Sequence, residues 1–257
     1  MSEHGHVLEQ RIDISNYEAA TAQIMAWAGD RKSAQITLSN VYSVMLAHDD
    51  REFLRVTTDS DLVLPDGMPL VLALRSLGLK GVSRVYGPDL MLHLCAAAAQ
   101  AGVGVALYGG RPDSLVDLES RLIQRFSGLH VACAIAPPFQ PLNEQEEAAV
   151  VKNIAESGAG ILFVGTGCPR QELWIARYLD QLAMPILGVG AAFDFHSGRM
   201  AQAPAWMQRL SLEWLFRLAM EPRRLWRRYL IHNPRFLWHF AGQFLRERVL
   251  NRGGTRA

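Results

Sequence analysis

"GILFVGTGCPRQELWIARYLDQL", Gly160 to Leu182, holds the pattern that decides the fold. Ile161 to Val164 are apolar at every position, so an extended chain there would bury both of its faces, as a strand inside a parallel sheet does. Gly165 and Gly167 then mark a tight turn, and Arg170 to Leu182 has the apolar spacing of a helix. The same alternation runs outward in both directions. "AQITLSN", "DLVLPD", "VGVALYGG", "LHVACAIA" and "PILGVGAAF" have strand length, and "PLVLALRSLG", "PDLMLHLCAAAAQAG", "PDSLVDLESRLIQRF" and "NEQEEAAVVKNIAESG" read as helices. This predicts an α/β fold: a Rossmann-like, mostly parallel sheet with helices on both faces. It is expected to fill residues 1–198, with a basic helical appendage over 199–257.

Composition narrows the class. The chain has 257 residues and a net charge of +1, which hides an asymmetry. From Arg199 onward there are twelve arginines, three glutamates and no lysine, a net of +9, while the preceding part nets −8. Four of the six tryptophans lie in the basic end. Cys95, Cys133 and Cys168 show no metal-ligand spacing and no paired framework, which points to a reducing, cytoplasmic setting. "MSEHGHVLEQ" lacks the apolar core of a signal peptide. The longest stretch free of acidic and basic residues, Leu90 to Gly110, is interrupted by "AGVG", so no membrane-spanning helix is expected.

Ligands of such sheets bind where the strands end and the following helices begin. Five features fall at those ends: Asn40, the Asp66-Gly67 pair, Gly109-Gly110, the turn from Gly165 to Arg170, and Asp194. "FVGTGCPRQELW" resembles a phosphate-binding strand–turn–helix, in which glycines admit an anion to the helix N-terminus. Arg170 stands where a dinucleotide fingerprint needs glycine, which argues against a nicotinamide oxidoreductase. Gln171 and Glu172 are either ligand contacts or first-turn residues favoured by the helix dipole. Asp66 is either an N-cap for a helix beginning near Met68 or a reactive carboxylate, and Asn40 has the same capping alternative. Cys168 reads as a structural thiol, and His196, two residues from Asp194, as a buried or capping histidine. "APPFQPLN", Ala136 to Asn143, is a candidate rim loop. No C-x-x-C motif is present; no metal and no cofactor are expected, and phosphate charge would fall to arginines and helix dipoles.

Those arginines are abundant in "EWLFRLAMEPRRLWRRYLIHNPRFLWHFAGQFLRERVL", Glu213 to Leu250. Arg217 lies in its first helix. On a helix from Pro222, Arg223, Arg224, Arg227 and Arg228 form one ridge, Pro234 is expected to break the run, and Phe236, Leu237, Phe240 and Phe244 form an apolar stripe. Arginine beside aromatics suits an anionic membrane surface. Packing on the main domain or in a homo-oligomer is compatible with the same stripes, and a non-catalytic membrane or nucleic-acid adaptor would explain the basic end alone.

"ITLSNVYSVMLAHDD", "SDLVLPDGMPLV", "RVYGPDLM", "ALYGGRPDSL", "ILFVGTGCPRQELW", "LGVGAAFDFHSG" and "QAPAWMQRLSLEWLFRLAMEPRRLWRRY" together resemble the WecG/TagA/CpsF glycosyltransferase family, in its order and over nearly the whole chain. The resemblance implies inverting, metal-independent transfer of a hexose or N-acetylhexosamine-type sugar, such as N-acetylmannosamine, from a UDP-sugar to a polyprenyl-diphosphate-linked acceptor. That reaction takes place on the inner face of the cytoplasmic membrane, without nucleic acid. It implies Asp66 as general base, with Asn40 and Thr37 beside it and Arg84 in the R-x-x-G segment. Two positions depart from the pattern: Thr37 stands three residues before Asn40 where a T-x-N spacing is usual, and Pro137-Pro138-Phe139 replaces a Gly-Tyr-Phe loop.

Overall fold

A computed structural model describes residues 3–253 except 139 and 141, with side chains described through 248. In chain order the elements are β1 His4–Val7, β2 Gln10–Asp13, α1 Tyr17–Gly29, β3 Ala34–Ser39, α2 Val41–Asp49, α3 Arg51–Thr58, β4 Leu62–Pro65, α4 Met68–Ser76 and α5 Gly87–Ala101. Then come β5 Val105–Gly109, α6 Pro112–Arg125, β6 Val131–Ile135, α7 Glu144–Glu156, β7 Ile161–Gly165, α8 Arg170–Tyr178, β8 Pro185–Gly188 and α9 Ala192–His196. The chain ends with α10 Ala205–Arg209, α11 Glu213–Met220 and α12 Pro222–Gly253. Among the described residues one six-stranded sheet runs in the order β4-β3-β8-β7-β5-β6, with every pairing parallel.

The strands are buried on both faces, as their sequence requires. Phe163, Leu107, Leu187 and Ile36 point toward α1, α5, α6 and α9. Leu162, Val164, Ala106 and Ile186 point the other way, toward Ile154 of α7 and Ile175 of α8. Local chemistry starts the helices. Asn16, Asn40, Asp50 and Asn143 accept first-turn N–H groups of α1, α2, α3 and α7, while prolines in the first turns of α4, α5 and α6 remove N–H groups that would lack partners.

The order places the ends of β3, β8 and β7 side by side, with β4 just outside β3. The order of connection across the sheet reverses around this point: β3 leads outward to β4, and β7 and β8 return from the β5 side. That is the place where a parallel sheet opens a crevice. Close approach there depends on glycine. A Cβ on Gly109 would lie 2.6 Å from the backbone of Gly165, and one on Gly165 would lie 2.6 Å from the Phe193 ring.

Three features depart from the sequence reading. A two-stranded antiparallel hairpin, β1–β2, precedes the sheet and packs with α2 and α4 through Val7, Ile12, Val44 and Leu74. Asp194 and His196 lie on the short helix α9 rather than on a strand, because β8 ends at Gly188; His196 Nε2 bonds the Pro88 carbonyl at 2.8 Å. Helix α12 continues through Pro234 instead of breaking there. Proline removes one helical N–H, but tertiary contacts beyond it hold the helix. Phe236 enters the hairpin core, Arg235 grips Asp49 through two hydrogen bonds of 2.7 and 2.8 Å, and Gln243 bonds Leu8 N and His6 O of the hairpin. The expected stripe divides accordingly: Phe236, Phe240 and Phe244 form a ring series along the helix, with Phe236 and Phe240 against the hairpin core, whereas Leu237 faces out.

Candidate functional site

Asp66 directly follows β4, and its backbone N–H bonds the Ser39 carbonyl at 2.8 Å, which ties the ends of β3 and β4 together. Its carboxylate does not cap α4. That helix starts from Gly67 with no side-chain cap, and Asp66 Oδ1 instead accepts the N–H of Gly87, the first residue of α5, at 2.7 Å. Proline at α4's first turn leaves less there to cap, so the carboxylate serves a different helix N-terminus. Oδ2 makes no hydrogen bond among the described residues. Burial pushes the Asp66 pKa up, against the opposing pull of Arg84 and of the Gly87 N–H.

A cavity of about 620 Å³ opens over the crevice. Asn40, Asp66, Gly165, Gly167, Arg170, Gln171, Glu172 and Asp194 line it from the sheet side, and Arg217, Arg224 and Arg227 from α11 and α12. These sequence candidates, scattered over nearly 190 positions, thus share one space. Asn40 also caps α2 through a capping box with Ser43, and its Oδ1 lies 3.4 Å from Arg228 Nη2.

Four candidates lie elsewhere. Thr37 is buried inside β3 with its hydroxyl 2.7 Å from Ser60 Oγ, because the T-x-x-N spacing sets it one residue deeper; Leu38 lines the cavity in its stead. Gly109 and Gly110 pack beneath the crevice against Gly165 and Phe193. Arg84 reaches Asp66 only from behind: Nε donates to the Asp66 carbonyl at 2.5 Å, Nη2 pairs with Glu213 at 2.6 Å, and the guanidinium lies over the Tyr86 ring. It joins the end of β4 to α11. Phe139 of the expected rim loop lies outside the described residues.

The glycine turn is held from inside. Gln171 Oε1 accepts Gly167 N–H at 3.1 Å, and its Nε2 donates to Glu172 Oε1 at 2.9 Å. Burial pushes Glu172 up, and it also pushes the Cys168 thiol well above its ordinary value, which makes that thiol a poor nucleophile. Asp194 is raised by burial too, with Arg224 pulling the other way.

Sequence reasoning missed several lining residues. Thr166 has a hydroxyl without a partner among the described residues; its place inside the Gly165-to-Gly167 turn was the available signal. Tyr42 lies beneath the Arg228 guanidinium, 4.4 Å from its carbon, and meets the His232 ring edge-on. Arg228 and Arg217 each keep Nε without a hydrogen-bond partner among the described residues. Five arginines therefore face three carboxylates, two of them deeply desolvated, and the balance favours an anionic ligand carrying more than one charge. Among the described residues no group of three or more His, Cys, Asp or Glu side chains converges as a metal set.

Comparison with known proteins gives the family. The glycosyl transferase WecG/TagA/CpsF family matches residues 6–250. The chain is 31% identical over 198 residues to the N-acetylglucosaminyldiphosphoundecaprenol N-acetyl-beta-D-mannosaminyltransferase of Bacillus subtilis (strain 168), covering 77% of this chain and 75% of that one. The oxidoreductase and adaptor readings are thereby set aside: the chain belongs to the WecG/TagA/CpsF family and is a glycosyltransferase.

Proposed function

We propose that this enzyme moves an N-acetylhexosamine of the N-acetylmannosamine type from a UDP-sugar to a polyprenyl-diphosphate-linked N-acetylglucosamine, with inversion and without a divalent metal, as a step in building a cell-envelope polysaccharide. The observation that carries the reading is that the Asp66 carboxylate lines the same cavity as Arg217, Arg224, Arg227 and Arg228. The relative's name supplies the sugar and acceptor classes, and its β-configured transferred sugar fits displacement on an α-linked donor.

The chemistry follows from the layout. Asp66 takes the proton from an acceptor hydroxyl as that oxygen bonds the donor's anomeric carbon and the bond from that carbon to the diphosphate oxygen breaks. UDP departs with the electron pair and its added charge. A base near neutrality is more effective than an ordinary carboxylate, and the raised pKa of Asp66 moves it that way. Arg217, Arg224, Arg227 and Arg228, together with the glycine turn at the start of α8, are placed to take up the leaving charge. Mass analysis of products from a panel of UDP-sugars with a short polyprenyl-diphosphate-linked acceptor tests the reaction, and calorimetry of UDP with and without chelator tests the metal. UDP affinity is expected to be the same in both; its loss on chelation would overturn the metal-free part.

Arg84 gives a further test. Its charge lowers the Asp66 pKa, so removing it should raise that pKa further. A base works only when deprotonated, so the acidic limb of kcat/KM is expected to move to higher pH in Arg84→Met and to stay near its wild-type position in Arg84→Lys. Identical limbs in all three proteins would separate Asp66 from the limb.

Membrane docking belongs to the same reading. Among the described residues no helix is long and apolar enough to cross a membrane. Helix α12 instead turns Trp226, Leu230, Leu237, Trp238 and Leu245 outward, Trp238 with 80% of its surface exposed. Such a face beside arginines suits the anionic inner leaflet on which a lipid-linked acceptor is presented.

A further inference from the structure

Asp66 has a cation beside it with which it does not pair. Arg84, in the loop before α5, donates from Nε to the Asp66 backbone carbonyl at 2.5 Å, yet among the described residues it makes no ion pair with the Asp66 carboxylate. The guanidinium is turned the other way. Its Nη2 donates to Glu213 Oε2 at 2.6 Å, Nη1 lies 3.5 Å from Gln208 Oε1 of α10, and the guanidinium carbon sits 4.0 Å from the Tyr86 ring centre. Glu213, the first residue of α11, is held in turn. Its Oε1 accepts the Tyr86 hydroxyl at 2.9 Å, and burial together with the Glu213 charge pushes the pKa of that phenol up, so it remains a donor. Both members of the ion pair are largely out of water, each with 15% of its side-chain surface exposed. A charge-assisted contact so shielded competes strongly with any other anion for the same guanidinium.

We propose that Glu213 is a positioning residue for the transfer reaction: by taking the Arg84 guanidinium it keeps that cation off the Asp66 carboxylate and leaves the base free to accept a proton. This rests on the reading of Asp66 as general base. Asp66 and Glu213 both act on the Arg84 charge, so with Glu213 neutral the guanidinium is left to Asp66. An arginine paired with an aspartate lowers its pKa and occupies the lone pairs that a proton would use. The groups around Asp66 fix the direction. Burial raises its pKa, Arg84 and the Gly87 N–H lower it, Glu213 raises it, and Arg217, one turn along α11 from Glu213, lowers it; Tyr86 stays neutral. Removing the Glu213 charge therefore weakens the base twice, by loss of its own field and by release of Arg84.

Steady-state kinetics of the full chain with UDP-N-acetylmannosamine and a short-chain polyprenyl-diphosphate-N-acetylglucosamine, recorded against pH, test this. Glu213→Gln keeps one acceptor oxygen for Tyr86 and no charge for Arg84. Its acidic limb of kcat/KM is expected to move to lower pH by roughly one pH unit, with turnover above the limb down by roughly tenfold or more. Adding Arg84→Met takes away the cation, so the limb should return to its wild-type position or beyond and most of the lost turnover should come back. A Glu213 that only fastens α11 to the sheet gives a different pattern, an unmoved limb and a double variant no more active than the single one, and either result overturns the proposal. The double variant leaves no buried charge without its partner, so it is the one expected to fold best. If Glu213→Gln alone does not fold, the double variant decides: turnover within about tenfold of wild type shows that Glu213 is needed only while Arg84 is present, and a larger loss overturns the proposal. Wild-type turnover in Asp66→Asn would instead sink the base reading beneath it, and that is read without touching Glu213.

Discussion

Asp66→Asn is expected to reduce turnover by roughly a thousandfold, to leave UDP affinity within about threefold, and to raise the temperature of unfolding at neutral pH. The first effect follows from removing the base. The second follows because asparagine keeps the oxygen that accepts the Gly87 N–H, so the end of β4 and the start of α5 remain joined. The third comes from the direction of the pKa shift. Burial raises the folded-state pKa, so the fold favours the protonated form; that stability is fully present below the ordinary carboxylate range and is lost as pH rises through the folded value. Once pH has risen through that value the wild type carries a desolvated charge that asparagine lacks. The stability gap between the two proteins should therefore narrow as pH falls toward about 4, where an unperturbed aspartate titrates. Thermal unfolding at both pH values, with turnover and calorimetry at neutral pH, checks all three. Near wild-type turnover would remove Asp66 from the chemistry, and a variant less stable at neutral pH would show that its charge supports the fold.

Asp66 also shows where the sequence was readable. Its position after an all-apolar strand placed it at the mouth of the sheet, and the same logic placed Asn40 and Gly165, whereas Asp194 lies beyond β8 on α9. Strand ends are local facts, recorded in consecutive residues. Which helix the carboxylate would serve was not local: Gly87 is 21 residues away, and its N–H reaches Asp66 only after β4 and α5 have been brought together. Arg84 was assigned to the site by resemblance; it does not line the large cavity, because Glu213, 129 residues on, draws its guanidinium to α11. The hairpin β1–β2 was missed because its strands are four residues long, with polar residues on the outer face of β1 and too few positions to establish a period. Pro234 misled for a related reason. A local rule against proline in a helix was outweighed by contacts to Asp49, Leu8 and His6, whose separations of 186 to 237 residues no window along the chain can register.

Separate substitutions on the two faces of α12 are expected to divide its roles. Arg224, Arg227 and Arg228 recur at helical spacing and line the large cavity, proposed above to take the donor, whereas Arg223, the fourth member of the expected ridge, does not. Replacing Arg227 and Arg228 by glutamine removes two charge-assisted contacts to a diphosphate, each worth about 2 kcal/mol, so donor affinity or turnover on a water-soluble acceptor should fall by roughly a thousandfold. Each arginine near an anionic leaflet contributes about 1 kcal/mol, so vesicle binding should weaken but survive through the apolar face. The reverse pattern is expected for Leu230→Ser with Trp238→Ser: these side chains point away from the cavity, so vesicle binding should be lost while turnover of a soluble acceptor holds. Truncation before Glu213 should lose both activities, but it also strips Phe236 from the hairpin core and the ion pair from Asp49, so it does not separate a missing site from a damaged fold. The paired substitutions do. If the arginine pair loses vesicles and keeps soluble turnover, its charge belongs to lipid rather than to UDP. If the serine pair keeps vesicles and changes only self-association in sedimentation, the exposed stripe is a contact between copies of the chain.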